Sequence, residues 1–169
     1  MQDLLSKLNV DILKQYQSLD NPDFRFAKRE YRRFKYYRII QQLMNRHYIK
    51  DETDLNIHVC MQINILGTTN NWILRISFVG PYACLLRINQ GVLKNFINRH
   101  KIITSADVGI GYDSDEKYLV DCVHEFNITL LNRKILETPI PLILHDTDRE
   151  YVKIYHALFE DTEILPPWE

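Results

Sequence analysis

The chain has 169 residues and a formal net charge of −1 at pH 7; 46% of its residues are hydrophobic and 25% are charged. This balance is typical of an ordinary globular domain, and with only 5 glycines and 6 prolines it excludes long flexible linkers and low-complexity tracts. No apolar run approaches the roughly 18 residues of a membrane-spanning helix, so we expect a protein without a membrane segment.

The N-terminal segment, residues 1–48, predicts two helices. In the first helix, apolar residues recur at helical spacing and form one stripe. These residues are Leu4, Leu5, Leu8, Ile12, Leu13 and Tyr16. Pro22 then interrupts the chain, because the residue before a proline disfavours helical backbone angles. A second helix is predicted from about Pro22 to Tyr48, and its length is compatible with an internal bend or break.

The clearest pattern in the chain is the strict alternation of apolar and polar residues from Leu55 to Ile65. It predicts a long strand with one buried face and one wetter face. A hairpin loop and a second turn separate two further strands, the last of which ends at Ile88. We therefore predict a three-stranded antiparallel meander over residues 55–88, with Arg75 facing outward.

After the meander the pattern is weaker. Gly91 to His100 predicts a short helix, and Thr104 to Tyr112 predicts a turn or a short edge strand. Ser114, which two acidic residues follow, is a typical helix start, and apolar residues continue at helical spacing from Tyr118. We therefore predict a helix that begins at Ser114.

Two prolines exclude a helix interior near residue 140, so residues 138–145 are predicted to be an extended segment or an edge strand. Thr147 and Glu150 have the spacing of a capping box, which predicts a last helix from there to about Glu160. The final residues are predicted to be extended, with Trp168 docked on the body of the protein.

These elements place the chain in the α+β class. An antiparallel meander would pack with N-terminal and C-terminal helices in a single domain of residues 1–169. The domain would consist of a helical segment, residues 1–48, and a part with a sheet and helices, residues 55–169.

No catalytic motif is recognisable. The stretch 107–116 lacks the third glycine of a dinucleotide fingerprint and the full ligand set of a calcium loop. His145 and Asp146 open a cluster with the composition of a metal or acid–base site, but carboxylates at a helix start also serve the unpaired N–H groups there. We therefore predict a protein that is not an enzyme and has no cofactor or metal. A hydrolase or transferase centred on His145 and Asp146 is the alternative.

The three cysteines, Cys60, Cys84 and Cys122, form no C-x-x-C motif and no zinc-ligand pattern with histidine. They are predicted to be reduced, buried thiols in a cytosolic protein. The N-terminal residues also lack the positive charge and the uninterrupted apolar core of a signal peptide, so we expect the protein to be cytoplasmic.

Charge is unevenly distributed along the chain. Between Phe24 and His47 there are eight basic residues and one acid, interleaved with aromatic residues. Arginine among aromatic rings is typical of nucleic-acid surfaces and of protein–protein hot spots. Packing against the acidic remainder of the same chain is a third interpretation. The residues predicted to bind nucleic acid, if that is the partner, are Arg29, Arg32, Arg33, Tyr36 and Tyr37.

The C-terminal sequence from Tyr151 to Trp168, YVKIYHALFEDTEILPPW, resembles the closing helix and tail of some bacterial immunity proteins. Those proteins accompany polymorphic or contact-dependent toxins, and they are similar in size, in α+β layout and in the absence of catalytic motifs. The resemblance implies a cytosolic protein that binds a cognate toxin and covers its active site or a surface it needs. We therefore predict a protein-binding module, and specifically an immunity protein. A regulatory protein that binds nucleic acid is the alternative.

Two sets of residues are predicted to contact the partner. If the toxin is a nuclease, its substrate-binding surface should be basic, and acidic residues would complement it. The acidic set is Asp113, Asp115, Glu116, Asp121 and Glu125. The second set, on the wetter face of the sheet, is His58, Gln62, Asn64 and Arg75.

Overall fold

The computed structural model describes residues 2–88, 100–104 and 114–162. Within these ranges the helices are α1 (Gln2–Tyr16), α2 (Arg25–Arg32), α3 (Tyr37–Met44), α4 (Ser114–Glu125), α5 (Arg133–Leu136) and α6 (Ile154–Leu158). The strands are β1 (Tyr48–Asp51), β2 (Cys60–Leu66), β3 (Asn71–Ser77), β4 (Tyr82–Ile88), β5 (His100–Ile103) and β6 (Thr129–Leu130). A 3-10 turn, Arg149–Tyr151, precedes α6.

A six-stranded sheet forms the centre of the fold. Strands β1 to β5 follow one another in sequence order, each antiparallel to the next, and β6 pairs with β4 in parallel. Because β5 pairs with Leu85–Ile88 and β6 with Tyr82–Ala83, both lie end to end along one edge of β4. The predicted α+β class with an antiparallel meander is confirmed, and the sheet has additional strands at both edges.

The alternating apolar residues fill one face of this sheet. Ile63 pairs with Leu74, which pairs with Leu85, and Ile65 pairs with Trp72. All five side chains are 0% exposed. Full burial of an aliphatic side chain of this size contributes about 1.5–3 kcal/mol, so these aligned rows are a main source of stability.

The first strand of the meander begins later than the alternation predicts. Residues 55–57 form a turn, and β2 begins at Cys60. A carboxylate oxygen of Asp54 accepts the N–H of Asn56 at 2.9 Å, and the Asp54 carbonyl oxygen accepts the N–H of His58 at 2.7 Å. These local hydrogen bonds compete with strand pairing, which explains the difference.

The predicted second helix is divided into α2 and α3 by a turn at residues 33–36. Phe34 in this turn packs edge-on against Phe78, with ring centroids 6.3 Å apart. The predicted helix end at Tyr48 is wrong, because Tyr48 already belongs to β1. The apolar positions of this edge strand also fit helical spacing, which is why the sequence pattern concealed it.

The N-terminal helix packs largely as predicted. Leu8, Ile12 and Tyr16 are 0% exposed, whereas Leu13 is 48% exposed. The hydroxyl of Tyr16 donates a hydrogen bond to the carbonyl oxygen of Ala157 at 2.9 Å, which fastens α1 to α6. The N-terminal and C-terminal parts of the chain therefore share one core.

The C-terminal helix differs from the prediction. Residues 138–145 contain no helix, with an isolated bridge from Pro139 to Lys153, and the N–H of Ile143 donates to the carbonyl oxygen of Leu19 at 2.8 Å. The helix, however, begins at Ile154 and not at the predicted capping box. The hydroxyl of Thr147 lies 2.9 Å from Oδ1 of Asp161, so it forms a hydrogen bond with Asp161 and does not cap a helix.

Some predicted features fall on residues that the structure does not describe: the helix over 91–99, the segment 105–113 and the tail with Trp168. His100, the predicted end of that helix, begins β5. In the described ranges, no helix is both long enough and apolar enough to cross a membrane.

Candidate functional site

Glu116, one of the acidic residues predicted to contact a partner, lies in the core. It is 0% exposed, and its Oε1 accepts hydrogen bonds from Trp72 Nε1 at 3.1 Å and from Arg87 Nη1 at 3.2 Å. Residue 116 shares a face of α4 with Val120 and Val123, which are also buried. The prediction is therefore wrong for Glu116, because a partner cannot reach it.

The other acidic residues divide into engaged and accessible ones. Asp115 is half-buried and pairs with Arg46 at 2.7 Å. Asp121 and Glu125 are exposed, and Asp113 lies outside the described residues. Since exposed carboxylates form only weak contacts with their neighbours, Asp121 and Glu125 are the two described members of this set that a partner could still engage.

The polar face of the sheet is largely covered. Arg75 is 6% exposed and His58 is 4% exposed, while Gln62 and Asn64 are half-buried. Arg75 Nε donates to Gln62 Oε1 at 2.8 Å, and Arg75 Nη1 pairs with Glu160. The prediction that His58 and Arg75 contact a partner is wrong, because the segment that follows α6 lies over this face.

Glu160 is the centre of a buried polar network. Its Oε2 accepts a hydrogen bond from the hydroxyl of Tyr155 at 3.0 Å. Nδ1 of His58 accepts the N–H of Asp54 at 2.9 Å, so the proton of the neutral ring is on Nε2, 3.7 Å from Glu160 Oε1. Burial raises the pKa of Glu160, but the nearby N–H of His58 and the positive charge of Arg75 lower that pKa further than burial raises it. Glu160 is therefore ionised at neutral pH.

Two thiols lie beside this network. Burial raises the pKa of Cys60 and of Cys84 to about 12, and the positive charge of Arg75 lowers each pKa only in part. Both are therefore protonated at neutral pH, and a thiol is a far weaker nucleophile than a thiolate. As predicted, Cys122 and these two cysteines are free and buried.

The eight basic residues between Phe24 and His47 fall into two groups. Three form ion pairs: Arg25 with Asp23 at 2.7 Å, Arg29 with Glu30 at 3.0 Å and Arg46 with Asp115 at 2.7 Å. The other five are exposed, and within the described ranges none has an acidic side chain at ion-pair distance. They are Lys28, Arg32, Arg33, Lys35 and Arg38. Packing against acidic residues of the same chain therefore accounts for three of the eight and leaves five available to a partner.

Four exposed apolar side chains lie on α3 and on the neighbouring strands β1 and β2. Tyr37 and Met44, 58% and 59% exposed, lie two turns apart on α3. Tyr48 and Leu66, 67% and 43% exposed, are direct partners across β1 and β2. Helix α3 packs against β1, so these four residues lie on neighbouring elements, although Tyr48 and Leu66 point to the face of the sheet opposite Ile65 and Trp72. We call these four residues and the five unpaired cations the basic–apolar surface.

Of the residues predicted to bind nucleic acid, Arg32, Arg33 and Tyr37 belong to the basic–apolar surface. Arg29 is engaged in its ion pair, and Tyr36 is half-buried. The sequence pattern missed Met44, Tyr48 and Leu66. A single apolar residue in a helix or strand gives no sign of whether it faces the core or solvent.

Comparison with known protein families, characterised proteins and solved structures gives no match. Function must therefore be inferred from the residues of this chain. Across residues 2–88, 100–104 and 114–162, no group of three or more histidine, cysteine or carboxylate side chains is arranged to hold a metal ion.

Asp161, which no sequence pattern singled out, organises the loop before α6. It is 9% exposed and accepts the N–H of His145 at 2.8 Å and the N–H of Asp146 at 3.2 Å. The predicted acid–base cluster is therefore a loop whose backbone surrounds a carboxylate, while the side chains of His145 and Asp146 are exposed. Sequence separation concealed this contact, because Asp161 lies in the segment beyond α6.

A cleft of about 120 Å³ lies among the end of α1, the start of α2 and the turn before β2. Its apolar lining includes Tyr16, Phe24, Ala27, Leu55, Ile57 and Val59. His156 also lines the cleft and is 2% exposed. Nδ1 of His156 accepts the N–H of Lys153 at 2.9 Å, but among the described residues its Nε2 has no hydrogen-bond partner. A buried donor left unpaired costs about 1–3 kcal/mol.

Proposed function

We propose that this chain is a protein-binding module and that it recognises its partner through the basic–apolar surface. The observation that carries the proposal is the combination of five unpaired cations with four exposed apolar side chains. Tyrosine, methionine and arginine are the residue types enriched where proteins bind one another. Within the described part of the chain, none of these cations has an acidic side chain at ion-pair distance, and one of them, Lys35, lies over the ring of Tyr36 at 4.9 Å.

The partner we propose is a protein with acidic groups opposite Arg32, Arg33 and Arg38. Met44 and Leu66 favour a protein over a nucleic acid, because aliphatic side chains contribute little to a phosphate backbone. The net charge of the whole chain, −1, also differs from the strongly basic balance of most nucleic-acid-binding domains.

We further propose that the partner is a toxin domain, which the chain neutralises as an immunity protein. The support for this step is the resemblance of residues 151–168 to the closing segment of such proteins. In the acidic set, Glu116 is buried in the core and Asp115 is paired with Arg46. The basic–apolar surface is therefore the first surface to test, and Asp121 with Glu125 is the second.

A pull-down with matched variants tests the binding surface. The first variant combines Tyr37→Ser, Met44→Ser and Tyr48→Ser. The control combines Val10→Ser and Leu13→Ser, which are comparably exposed positions on α1, 63% and 48%. After nuclease treatment of the lysate, we expect one dominant protein to be captured by the wild-type chain and by the control, but not by the first variant. Equal capture by all three proteins would contradict the proposed surface.

Co-expression then tests the immunity function. The captured protein, produced alone in a susceptible bacterium, should stop growth, and the wild-type chain should restore it. The control with Val10→Ser and Leu13→Ser should also restore growth, whereas the variant with Tyr37→Ser should not. If the captured protein is harmless when produced alone, the proposal of a protein-binding module would stand, but the proposal of an immunity function would fail.

Binding to nucleic acid is the second candidate, because the five cations and the exposed ring of Tyr37 are also suited to phosphates and bases. It predicts that a labelled single-stranded oligonucleotide binds with an affinity that falls steeply as salt rises. The double change Arg32→Ser and Arg33→Ser should reduce the slope of log K against log salt by about 1–2, since each released phosphate contact contributes about 0.7. A slope that does not change with these substitutions would remove this candidate.

A further inference from the structure

Strand β1 lies at one edge of the sheet, and among the described strands its only neighbour is β2. Tyr48, Lys50 and Asp51 are exposed, and Ile49 is half-buried. The edge of a sheet presents unpaired N–H and C=O groups that can hydrogen-bond to another extended chain. The outer side of β1 is therefore accessible to a strand from a second molecule.

The pairing with β2 determines which backbone groups of β1 point outward. The N–H of Glu52 donates to the carbonyl oxygen of Gln62 at 2.9 Å, in continuation of the register between β1 and β2. In an antiparallel pair, residues that are hydrogen-bonded to the neighbouring strand alternate with residues that are not. The N–H and C=O groups of Ile49 and Asp51 therefore point away from β2. No described residue forms a backbone hydrogen bond with these outward groups.

The side chains of β1 complement a second copy of the same strand in one antiparallel register. When Ile49 lies opposite Ile49 of the second copy, Tyr48 of each copy lies opposite Lys50 of the other. A tyrosine ring attracts an ammonium group, and Lys50 can keep its ion pair with Glu52 on its own chain. The two other registers that match outward residues within β1 place Lys50 opposite Lys50 or Asp51 opposite Asp51. Like charges directly opposite destabilise a strand pair, so the first register is favoured.

We propose that the chain forms a symmetric dimer in which β1 pairs antiparallel with β1 of a second copy, with Ile49 opposite Ile49. The two Ile49 residues exchange their N–H and C=O hydrogen bonds at the two-fold axis, and the two sheets become continuous. Because β1 has only 4 residues and carries a lysine, two features that limit edge pairing, the dimer is in reversible equilibrium with the monomer. This inference depends on the backbone of β1 and does not rest on the proposed function.

Sedimentation equilibrium of the full chain over a range of concentrations tests the pairing. The mass of the wild-type protein should rise with concentration from that of one chain toward that of two. Ile49→Pro removes the outward N–H, at an edge position where proline is tolerated, and should weaken the dimer about tenfold or more. Ile49→Val, of similar size, retains the N–H and should dimerise as the wild type does. A wild-type chain that stays monomeric, or equal dimerisation of the two variants, would overturn the proposal.

Introduced cysteines test the register and keep the proposal testable if Ile49→Pro does not fold. Opposite Cα atoms in a hydrogen-bonded antiparallel pair are about 5.5 Å apart, a distance that a disulfide spans. Ile49→Cys should therefore form a disulfide-linked dimer when oxidised glutathione is added, while the three native cysteines are buried. In the control Lys50→Cys, the two cysteines would be diagonal neighbours about 7–8 Å apart and should cross-link more slowly, although residue 50 is the more exposed. Cross-linking of Lys50→Cys at the same rate or faster would contradict the proposed pairing.

Discussion

Arg75 shows how little the local sequence says about the environment of a charged side chain. It occupies an outward position in an alternating strand, yet it is buried because Glu160 approaches it from 85 residues further along the chain. Such an ion pair adds little net stability compared with an apolar pair. The loss of one partner, however, leaves the other charge buried without a counter-charge.

Removal of the Arg75 charge should therefore be costly. We expect Arg75→Met to lower the free energy of unfolding by about 3–5 kcal/mol, because Glu160 would remain ionised and unpaired. Arg38→Met, at an exposed position, should change it by about 0.5 kcal/mol or less. Urea denaturation measures both. Adding Glu160→Leu to Arg75→Met should recover much of the loss, and an additive double variant would show that the two charges do not interact.

Glu160 should also give the protein an acid-sensitive stability. Its pKa in the folded state lies below the ordinary value of the unfolded chain, so the ionised form is the one that the fold favours. This contribution is fully present above the unfolded pKa, about 4.3, and is lost as pH falls through the lower folded pKa. Unfolding free energies measured from pH 6 to pH 3 should therefore fall more steeply for the wild-type chain than for Glu160→Gln. Parallel pH profiles would contradict the assignment.

The residues that were hardest to predict are those whose contacts lie far away in the sequence. The alternation correctly placed Ile63 and Leu74 in the core, because the face of the strand on which a residue lies follows from the pattern of its immediate sequence neighbours. The burial of Glu116 depends on Trp72 and Arg87, and the role of Asp161 depends on a loop that precedes α6. No pattern within one segment contains these partners.

At the scale of elements, the contact between α1 and α6 is the one that joins the two ends of the described chain. Tyr16→Phe removes the hydroxyl and leaves the buried carbonyl oxygen of Ala157 without that partner. We expect a loss of about 1–1.5 kcal/mol in unfolding free energy and faster hydrogen exchange in α6. Tyr151→Phe, at a position that is 57% exposed, is the control and should leave both quantities unchanged. Equal effects of the two substitutions would argue against this contact.

Element types were easier to predict than element ends. Helical periodicity found α1, and alternation found the meander, because both patterns extend over several turns or residue pairs. The break between α2 and α3 depends on the contact of Phe34 with Phe78, and the late start of β2 depends on the local hydrogen bonds of Asp54. Periodicity registers neither effect.

At the scale of the whole molecule, the three free cysteines should report on global unfolding. Cys60 and Cys84 are 0% exposed and Cys122 is 1% exposed, on three different elements. A thiol reagent such as DTNB should therefore leave the native protein almost unmodified at pH 8 and modify all three cysteines in urea. The labelling rate should rise at the same urea concentration at which circular dichroism reports unfolding. Rapid labelling of one cysteine in the native protein would reveal local opening at that element.

The bond between Tyr16 and Ala157 also has a consequence for the order in which the chain acquires its structure. The two residues are 141 positions apart, whereas the strands of the meander contact their sequence neighbours. Closure of so long a loop carries a large entropic cost, so the meander should form early and α1 should dock late. During synthesis, α1 emerges before α6, so its hydrogen bond to Ala157 can form only after α6 has emerged. Helix α1 can contact β4 earlier, through the hydrogen bond from the hydroxyl of Tyr82 to Oδ2 of Asp11, so its docking should be completed in two stages.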